Sequence, residues 1–255
     1  MSTNTQRRVT LKTPQEIALM RDANLYAAEI LIRLTGMVCP GISTWDLDAV
    51  AREELQARGL ESPFLGYYGY PAVICTSVNE EIVHGIPRKD KILSEGDIIG
   101  IDIGAVYKDF VADTVRTVPV GVVSSEIARL IAVTSECLDA AIAQCSLENR
   151  LSDLGKSVQA LAEKSGYSVV RDFVGHGIGR RMHEEPQVLN YYNGVKPRLK
   201  AGLVLAIEPM LNMGTAEVEV LQDGWTAVTR DRKWSAHFED SIAITEKGPL
   251  ILSRL

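Results

Sequence analysis

The chain has only four cysteines, Cys39, Cys75, Cys137 and Cys145, and no two of them form a C-x-x-C pair. That pattern supports neither a zinc knuckle nor a redox motif, and a chain of 255 residues does not need disulfides to hold a core. Reduced, mostly buried thiols are expected, as in the cytoplasm. No apolar run approaches the ~18 residues of a membrane span, so no membrane partner is expected. The opening MSTNTQRRVTLKTPQEI has two arginines but no apolar segment, and it reads as a mature N-terminus and not as a secretory signal. Positive charge is not in excess. Lys and Arg number 27 against 33 Asp and Glu, a net charge of −6, so no nucleic-acid footprint is expected. Low-complexity segments and Pro/Ser linkers are absent, and the length suits one large domain or at most two. There is no G-x-S-x-G elbow, and Gln187 stands where an H-E-x-x-H helix would need its second histidine.

What is present is a set of acids and imidazoles in surroundings that do not suit them. Asp102 lies inside GDIIGIDIGAVY and Glu208 inside GLVLAIEPML. A strand reading buries both carboxylates in apolar layers, and no Lys or Arg lies within four residues of either. Buried charge is costly unless it is paired or bound to a metal. With Asp113, His176 and Glu239 they make four carboxylates and one imidazole, a suitable ligand set for two divalent cations. Carboxylate-rich ligation without thiolate suits Mn, Fe(II), Co or Zn.

A faint internal repeat supports convergence of these residues. Thr13-Pro14-Gln15-Glu16 opens a helix running to about Met37, and a second helix runs from Thr44 to Arg58-Gly59. The pattern returns with a helix from Ser124-Ser125-Glu126 to about Cys145 and another from Ser152 to Ser165-Gly166. Asp46 and Gly59 map onto Asp153 and Gly166 at an offset of 107, and GDIIGIDIG from Gly96 maps onto GLVLAIEPM from Gly202 at an offset of 106. Asp102 then corresponds to Glu208, and the two halves would meet around a pseudo-dyad. Residues 1–12 read as a short N-terminal arm and 13–255 as a single domain of mixed α/β (α+β) class.

After Gly96 the pattern suggests hairpins. Asp97–Val106 and Phe110–Val118 are apolar and β-branched around Tyr107-Lys108-Asp109. Asp102 and Asp113 are equidistant from a turn centred at Tyr107-Lys108, which would set them directly across from each other. Glycines flank His176 on both sides and let the backbone approach a neighbour closely. His84 and His183 also sit in loop-like contexts, as proton donors to a ligand or as surface residues. Alternation around Glu239 reads as a strand with Phe238 and Asp240 on the opposite face.

Taken together, Val83-His84-Gly85-Ile86-Pro87, Asp102-Ile103-Gly104, Asp113-Thr114, Gly175-His176-Gly177-Ile178-Gly179, His183-Glu184-Glu185-Pro186, Ile207-Glu208-Pro209 and Ser235-Ala236-His237-Phe238-Glu239-Asp240 resemble the methionine aminopeptidases. The resemblance runs from about residue 12 to the end. It implies the pita-bread fold, with duplicated halves and a central antiparallel sheet covered by helices. Glu208 and Glu239 are 31 residues apart, without the long insertion of type II members, so the chain resembles type I. Asp240 departs from the pattern, standing where many type I enzymes have His; such an Asp occurs in proline-specific peptidases of the same fold. Met182 replaces an aromatic found in some members.

The resemblance implies hydrolysis assisted by two divalent ions, removing methionine from peptide or nascent-protein N-termini whose second residue is small. Asp102 would hold one ion, His176 and Glu208 the other, with Asp113 and Glu239 bridging. Glu208 would also move the proton, and His84 and His183 would bind substrate. Phe64, Tyr67, Tyr70, Cys75, Met182 and Trp225 would line the methionine pocket. By analogy the enzyme is a monomer, with the ribosome as a further partner. The rival is an aminopeptidase P or prolidase type of the same fold.

Overall fold

The computed structural model describes residues 9–255. The first eight residues of the arm, part of the stretch read above as a mature N-terminus, lie outside the described residues. Helix α1 (Pro14–Met37) starts where the sequence predicts. Thr13 accepts from the amide of Glu16, and the Glu16 carboxylate accepts from the amide of Thr13 at 2.9 Å. This reciprocal cap satisfies two otherwise orphaned amides. Helix α2 (Thr44–Ala57) repeats the device with Ser43 and Asp46, and the chain turns out of it through Gly59 at φ +65°. Two more helices follow the middle of the chain. They are α3 (Ser125–Ala143), capped by Ser124, and α4 (Leu151–Lys164), which leaves through Gly166 at φ +85°. Helix α4 begins a residue before the expected serine because Asp153 accepts from the amide of Arg150 and caps from there.

Each helix pair is followed by strands. The first set is β1 (Ile74–Val78), β2 (Glu81–Val83), β3 (Ile98–Tyr107) and β4 (Phe110–Pro119). The second is β5 (Ser168–Val169), β6 (Gly175–Gly177), β7 (Glu184–Val188), β8 (Val204–Ile207), β9 (Met210–Asn212), β10 (Val218–Val220), β11 (Ala227–Thr229), β12 (Ser235–His237), β13 (Asp240–Thr245) and β14 (Gly248–Ile251). The sheets run β1-β3-β4, β10-β11-β2, β12-β9-β5 and β14-β13-β8-β6-β7. The paired strands are antiparallel, as hairpin connections require.

The long β3–β4 hairpin corrects one expectation. Its turn is Lys108-Asp109, both residues with positive φ (+48° and +65°), and Tyr107 remains in the ladder opposite Phe110. A two-residue turn of this hand matches the twist of the strands it joins. Asp102 therefore pairs with Val115, and Asp113 with Gly104. The two acids share a face but lie diagonally, not directly opposed.

Apolar packing divides in the same way as the repeat. Ile99, Ile101, Ile103 and Ala105 of β3 pack with Leu31, Leu34, Leu47 and Leu55 of α1 and α2. Leu138, Leu154, Val158, Leu205 and Ile242 build the core of the second half. A third cluster draws on both halves, joining Met20, Phe64 and Tyr70 to Ile178, Met182 and Val204. The candidate site lies along this seam.

Candidate active site

Strand β3 turns one face to the helices and leaves Gly100, Asp102 and Gly104 on the other. A Cβ at Gly104 would lie 2.4 Å from Pro63 Cγ and 3.1 Å from Phe64 Cε1, so glycine there lets the Phe64 ring seat against the strand. His176 is carried by β6, and its flanking glycines are required by sheet packing. A Cβ at Gly175 would meet the Ala206 carbonyl oxygen at 2.4 Å, and one at Gly177 the Glu185 carbonyl oxygen at 2.3 Å. Glu208 occupies the break between β8 and β9 made by Pro209. Glu239 also sits at a break, between β12 and β13, where its backbone bridges to Val115 of β4. The continuous strand expected there is interrupted because the chain changes partner, from β9 before Phe238 to β8 after Glu239.

These elements bring every residue singled out above as ligand, proton carrier or pocket lining to one cleft of about 570 Å³. One donor atom each from Asp113, His176 and Glu239 lie within 4.8 Å of one another. His176 Nε2 is 3.6 Å from Glu208 Oε1 and 3.9 Å from Asp113 Oδ2. The other ring nitrogen, Nδ1, is 3.0 Å from the Gly177 carbonyl oxygen. A carbonyl only accepts, so the proton stays on Nδ1 and the Nε2 lone pair faces the acids.

Burial sets the electrostatics. It pushes the Asp102 carboxyl up to about 8, with the Glu208 charge adding to the effect. Asp113, Glu208 and Glu239 are pushed well above the usual carboxylate range, by burial first and by neighbouring acids second, Asp102 acting on Asp113 and Asp113 on both glutamates. The imidazoles move the opposite way. Burial holds His176 down to about 3 and His84 to about 4, with His183 reinforcing both, and it lowers His183 itself. Both trends disfavour charge in a dry cleft. The Cys75 thiol is pushed well up by burial and by Asp102, so it is a neutral lining atom and not a nucleophile.

The donor set fits a divalent cation. Among the described residues, Asp102 Oδ1, Asp113 Oδ1 and Glu239 Oε1 are buried without a hydrogen-bond partner, and no Lys or Arg lines the cleft. Buried carboxylate oxygens are normally partnered, and a hard or borderline cation is the partner such oxygens take.

Beside the acids the lining turns apolar. The Tyr70 ring packs edge-on against Trp225 at 5.0 Å, and its hydroxyl lies 3.0 Å from the Ile74 carbonyl oxygen. His84 stands at the rim in a left-handed conformation, φ +59°, edge-on to Phe173 at 5.3 Å. His183 Nδ1 is 2.9 Å from the Tyr67 hydroxyl, and its ring is 4.4 Å from that of His176.

Sequence reasoning missed three features. Phe173 is one; it stands between Asp172 and Val174, and a lone aromatic there carries no signal of a site. His237 is the second: it lies in the last motif without an assigned role, its Nε2 is 3.4 Å from Glu208 Oε2, and burial, with His84 adding to it, holds the ring down to about 3. The signal was available, since the chain has only four histidines. Three line the cleft, and His237 stands behind Glu208. The third feature is a buried ion pair, Lys12 Nζ to Glu184 Oε2 at 2.8 Å, with side chains 3% and 7% exposed. It ties the arm to the turn that carries His183. Asp240, flagged as a departure, does not line the cleft. It is fully buried behind Glu239 and accepts from Arg116 Nη2 at 2.7 Å, Arg254 Nε at 2.7 Å and Ser253 Oγ at 2.6 Å.

Residues 18–246 match Metallopeptidase family M24, a family of metal-dependent enzymes. The methionine aminopeptidase of Clostridium perfringens is 46% identical over 246 residues, covering 96% of this chain and 98% of its own. The crystal structure of methionine aminopeptidase from Thermotoga maritima superposes with a TM-score of 0.95 at 41% identity, covering 97% of this chain and 100% of that one. The prolidase of Pyrococcus furiosus, at 22% identity and a TM-score of 0.76 over 65% of its length, shares the fold alone. Likeness at that level to named aminopeptidases, sustained from one end of their chains to the other, places this pita-bread protein in the methionine aminopeptidase family of the M24 metallopeptidases.

Proposed function

We propose that the protein removes N-terminal methionine from peptides and nascent proteins whose second residue is small, using two divalent ions held by Asp102, Asp113, His176, Glu208 and Glu239. Co, Mn, Fe(II) or Zn suits this set. The observation that carries the reading is the junction of two environments in one cleft. A cluster of buried acids and imidazoles meets a lining of Phe64, Tyr70, Cys75, Met182 and Trp225. A thioether is polarisable and packs well against aromatic rings and sulfur.

When bound, divalent ions lower the pKa of water and polarise a carbonyl. The chain's own groups do the rest. Glu208 is the base that takes the proton of the attacking water and returns it to the departing amine. Neutral His183, in the tautomer whose Nδ1 accepts from the Tyr67 hydroxyl, carries an N–H on Nε2 to donate to the substrate carbonyl. His84 donates from the rim. Donors aimed at a developing oxyanion each typically contribute about 10²–10³ in kcat. The aromatic lining excludes water from the methionine side chain. The protein acts as a monomer in the cytoplasm, in keeping with its free thiols, and meets its substrates at the ribosome.

The test is release of methionine from Met-Ala-Ser by purified protein, after chelation and after adding back Mn, Co, Fe(II) or Zn singly. Metal-dependent release, with none from Ala-Pro-Ala, is expected. Cleavage of Ala-Pro-Ala in preference would move the protein to the proline-specific peptidases.

A further inference from the structure

Glu208 lacks the backbone pairing that holds Asp102 and Asp113 in their strands and Glu239 to Val115. It falls in the Pro209 break, outside the ladder pairs of the described residues, and its carbonyl oxygen accepts from Asn190 Nδ2 at 2.9 Å. Its carboxylate lies between two imidazoles, Oε1 at 3.6 Å from His176 Nε2 and Oε2 at 3.4 Å from His237 Nε2. The His176 nitrogen is a lone pair, as shown by its Gly177 contact, so it cannot hold Glu208. His237 can. Its backbone is locked on both sides: its amide donates to Thr117 Oγ1 at 3.0 Å, its carbonyl accepts from the same hydroxyl at 2.7 Å, and its strand pairs it with Met210, two residues from Glu208. The ring is 5% exposed, and Nε2 is a buried polar atom with no hydrogen-bond partner.

We propose that His237 is a positioning residue for Glu208: its Nε2–H donates to Oε2 and turns the carboxylate so that Oε1 faces His176 and the acidic cluster. Charged acceptors draw N–H donors to ~2.7–2.9 Å, so closing the contact takes a shift of about half an ångström. The two buried imidazoles then take opposite tautomers, one offering a lone pair to the cluster and one offering a proton to its carboxylate. Partners of this kind orient the groups that hold a metal and typically change its affinity or the activity by 10–100-fold. This role rests on the reading of Glu208 as ligand and base.

The experiment compares His237→Leu, His237→Asn and His237→Gln in the full chain. Three quantities are read: Mn(II) affinity of the chelated protein by calorimetry, kcat and KM for Met-Ala-Ser, and the metal-free melting temperature. Leucine cannot donate, and asparagine is too short to reach Oε2. Both are expected to weaken Mn(II) binding and lower kcat by roughly 10–100-fold with KM little changed. Glutamine, whose amide reaches the same point, should recover most of both. In a Glu208→Gln background the leucine substitution should add little further loss of Mn(II) affinity, since both act through one contact. Wild-type Mn(II) affinity and kcat in the leucine or asparagine variant would overturn the proposal. So would a glutamine variant no better than asparagine, or full additivity with Glu208→Gln. The asparagine and glutamine pair decides the matter if the leucine variant fails to fold. Failure of the wild type to release methionine would refute the proposed reaction, and the Mn(II) titrations would still decide the role of His237.

Discussion

Removing metal from this protein and raising the pH from 6.5 to 8 should destabilise it. The folded Asp102 carboxyl keeps its proton up to about 8, whereas its ordinary value is 3.8. Between those values the folded state binds a proton that the unfolded state has lost, and each pH unit removes about 1.4 kcal/mol of stability. The histidines act with the opposite sign. His84, His176, His183 and His237 are all depressed below 6.5, so unfolding takes up protons below that pH. They add stability as pH rises through 6.5, about 0.4 kcal/mol each beyond that midpoint, and become constant about one pH unit higher. From 6.5 to 8 the four carboxyls together oppose and outweigh that remaining gain of about 1.6 kcal/mol. Asp102 by itself removes roughly 2 kcal/mol over that window, and Asp113, Glu208 and Glu239 shift in the same direction. For a chain of this size 2 kcal/mol corresponds to about 4–8 °C in melting temperature. Calorimetry of chelated protein at half-unit steps would measure it. Saturating Mn(II) should reverse the trend, because the ion replaces the protons and binds more tightly as they leave. Asp102→Asn should flatten part of the metal-free slope. A metal-free melting temperature that stays level or rises from pH 6.5 to 8 would refute the reasoning.

Three further outcomes are expected. Glu208→Gln should lower turnover of Met-Ala-Ser by roughly 10²–10⁴-fold with far-ultraviolet circular dichroism unchanged, and near-normal turnover at matched metal loading would remove Glu208 from the chemistry. Lys12→Met strands the Glu184 carboxylate in a site where both side chains are nearly inaccessible, and should cost about 3–5 kcal/mol by urea denaturation. A loss below 1 kcal/mol would show that Glu184 finds water or another partner. Asp240→Asn weakens the contacts to Arg116 and Arg254 and should destabilise by about 1.5–3 kcal/mol, while the preference for Met-Ala-Ser over Ala-Pro-Ala stays unchanged. A shift towards the proline substrate would give Asp240 a specificity role after all.

The helices and the acids were readable because each is a local signal. Thr13 with Glu16, and Ser124 before an apolar-periodic run, announce helix starts within four residues. Asp102 and Glu208 are conspicuous because an acid in an apolar strand has no local means of neutralisation. What could not be read depends on geometry between distant segments. The pairing of Asp102 turned on whether Tyr107 belongs to the strand or the turn, a choice made by the backbone twist at Lys108-Asp109. Glu239 looked like one more alternating strand position, and only the bridge to Val115 shows the break there. Lys12 and Glu184 meet across 172 residues, and nothing in either neighbourhood marks them as partners. Asp240 looked like a specificity residue by its place beside Glu239, but alternation turns it towards Arg254 and Ser253.

The gathering of all four histidines at one cleft has a spectroscopic consequence. In most enzymes the imidazole signals of a proton or nitrogen spectrum mix reporting residues with idle surface rings, and selective labels or variants are needed to separate them. Here every imidazole resonance comes from the site or from the residue behind it. Uniform nitrogen labelling alone would then give the tautomer of each ring, free of background, as substrate or inhibitor enters.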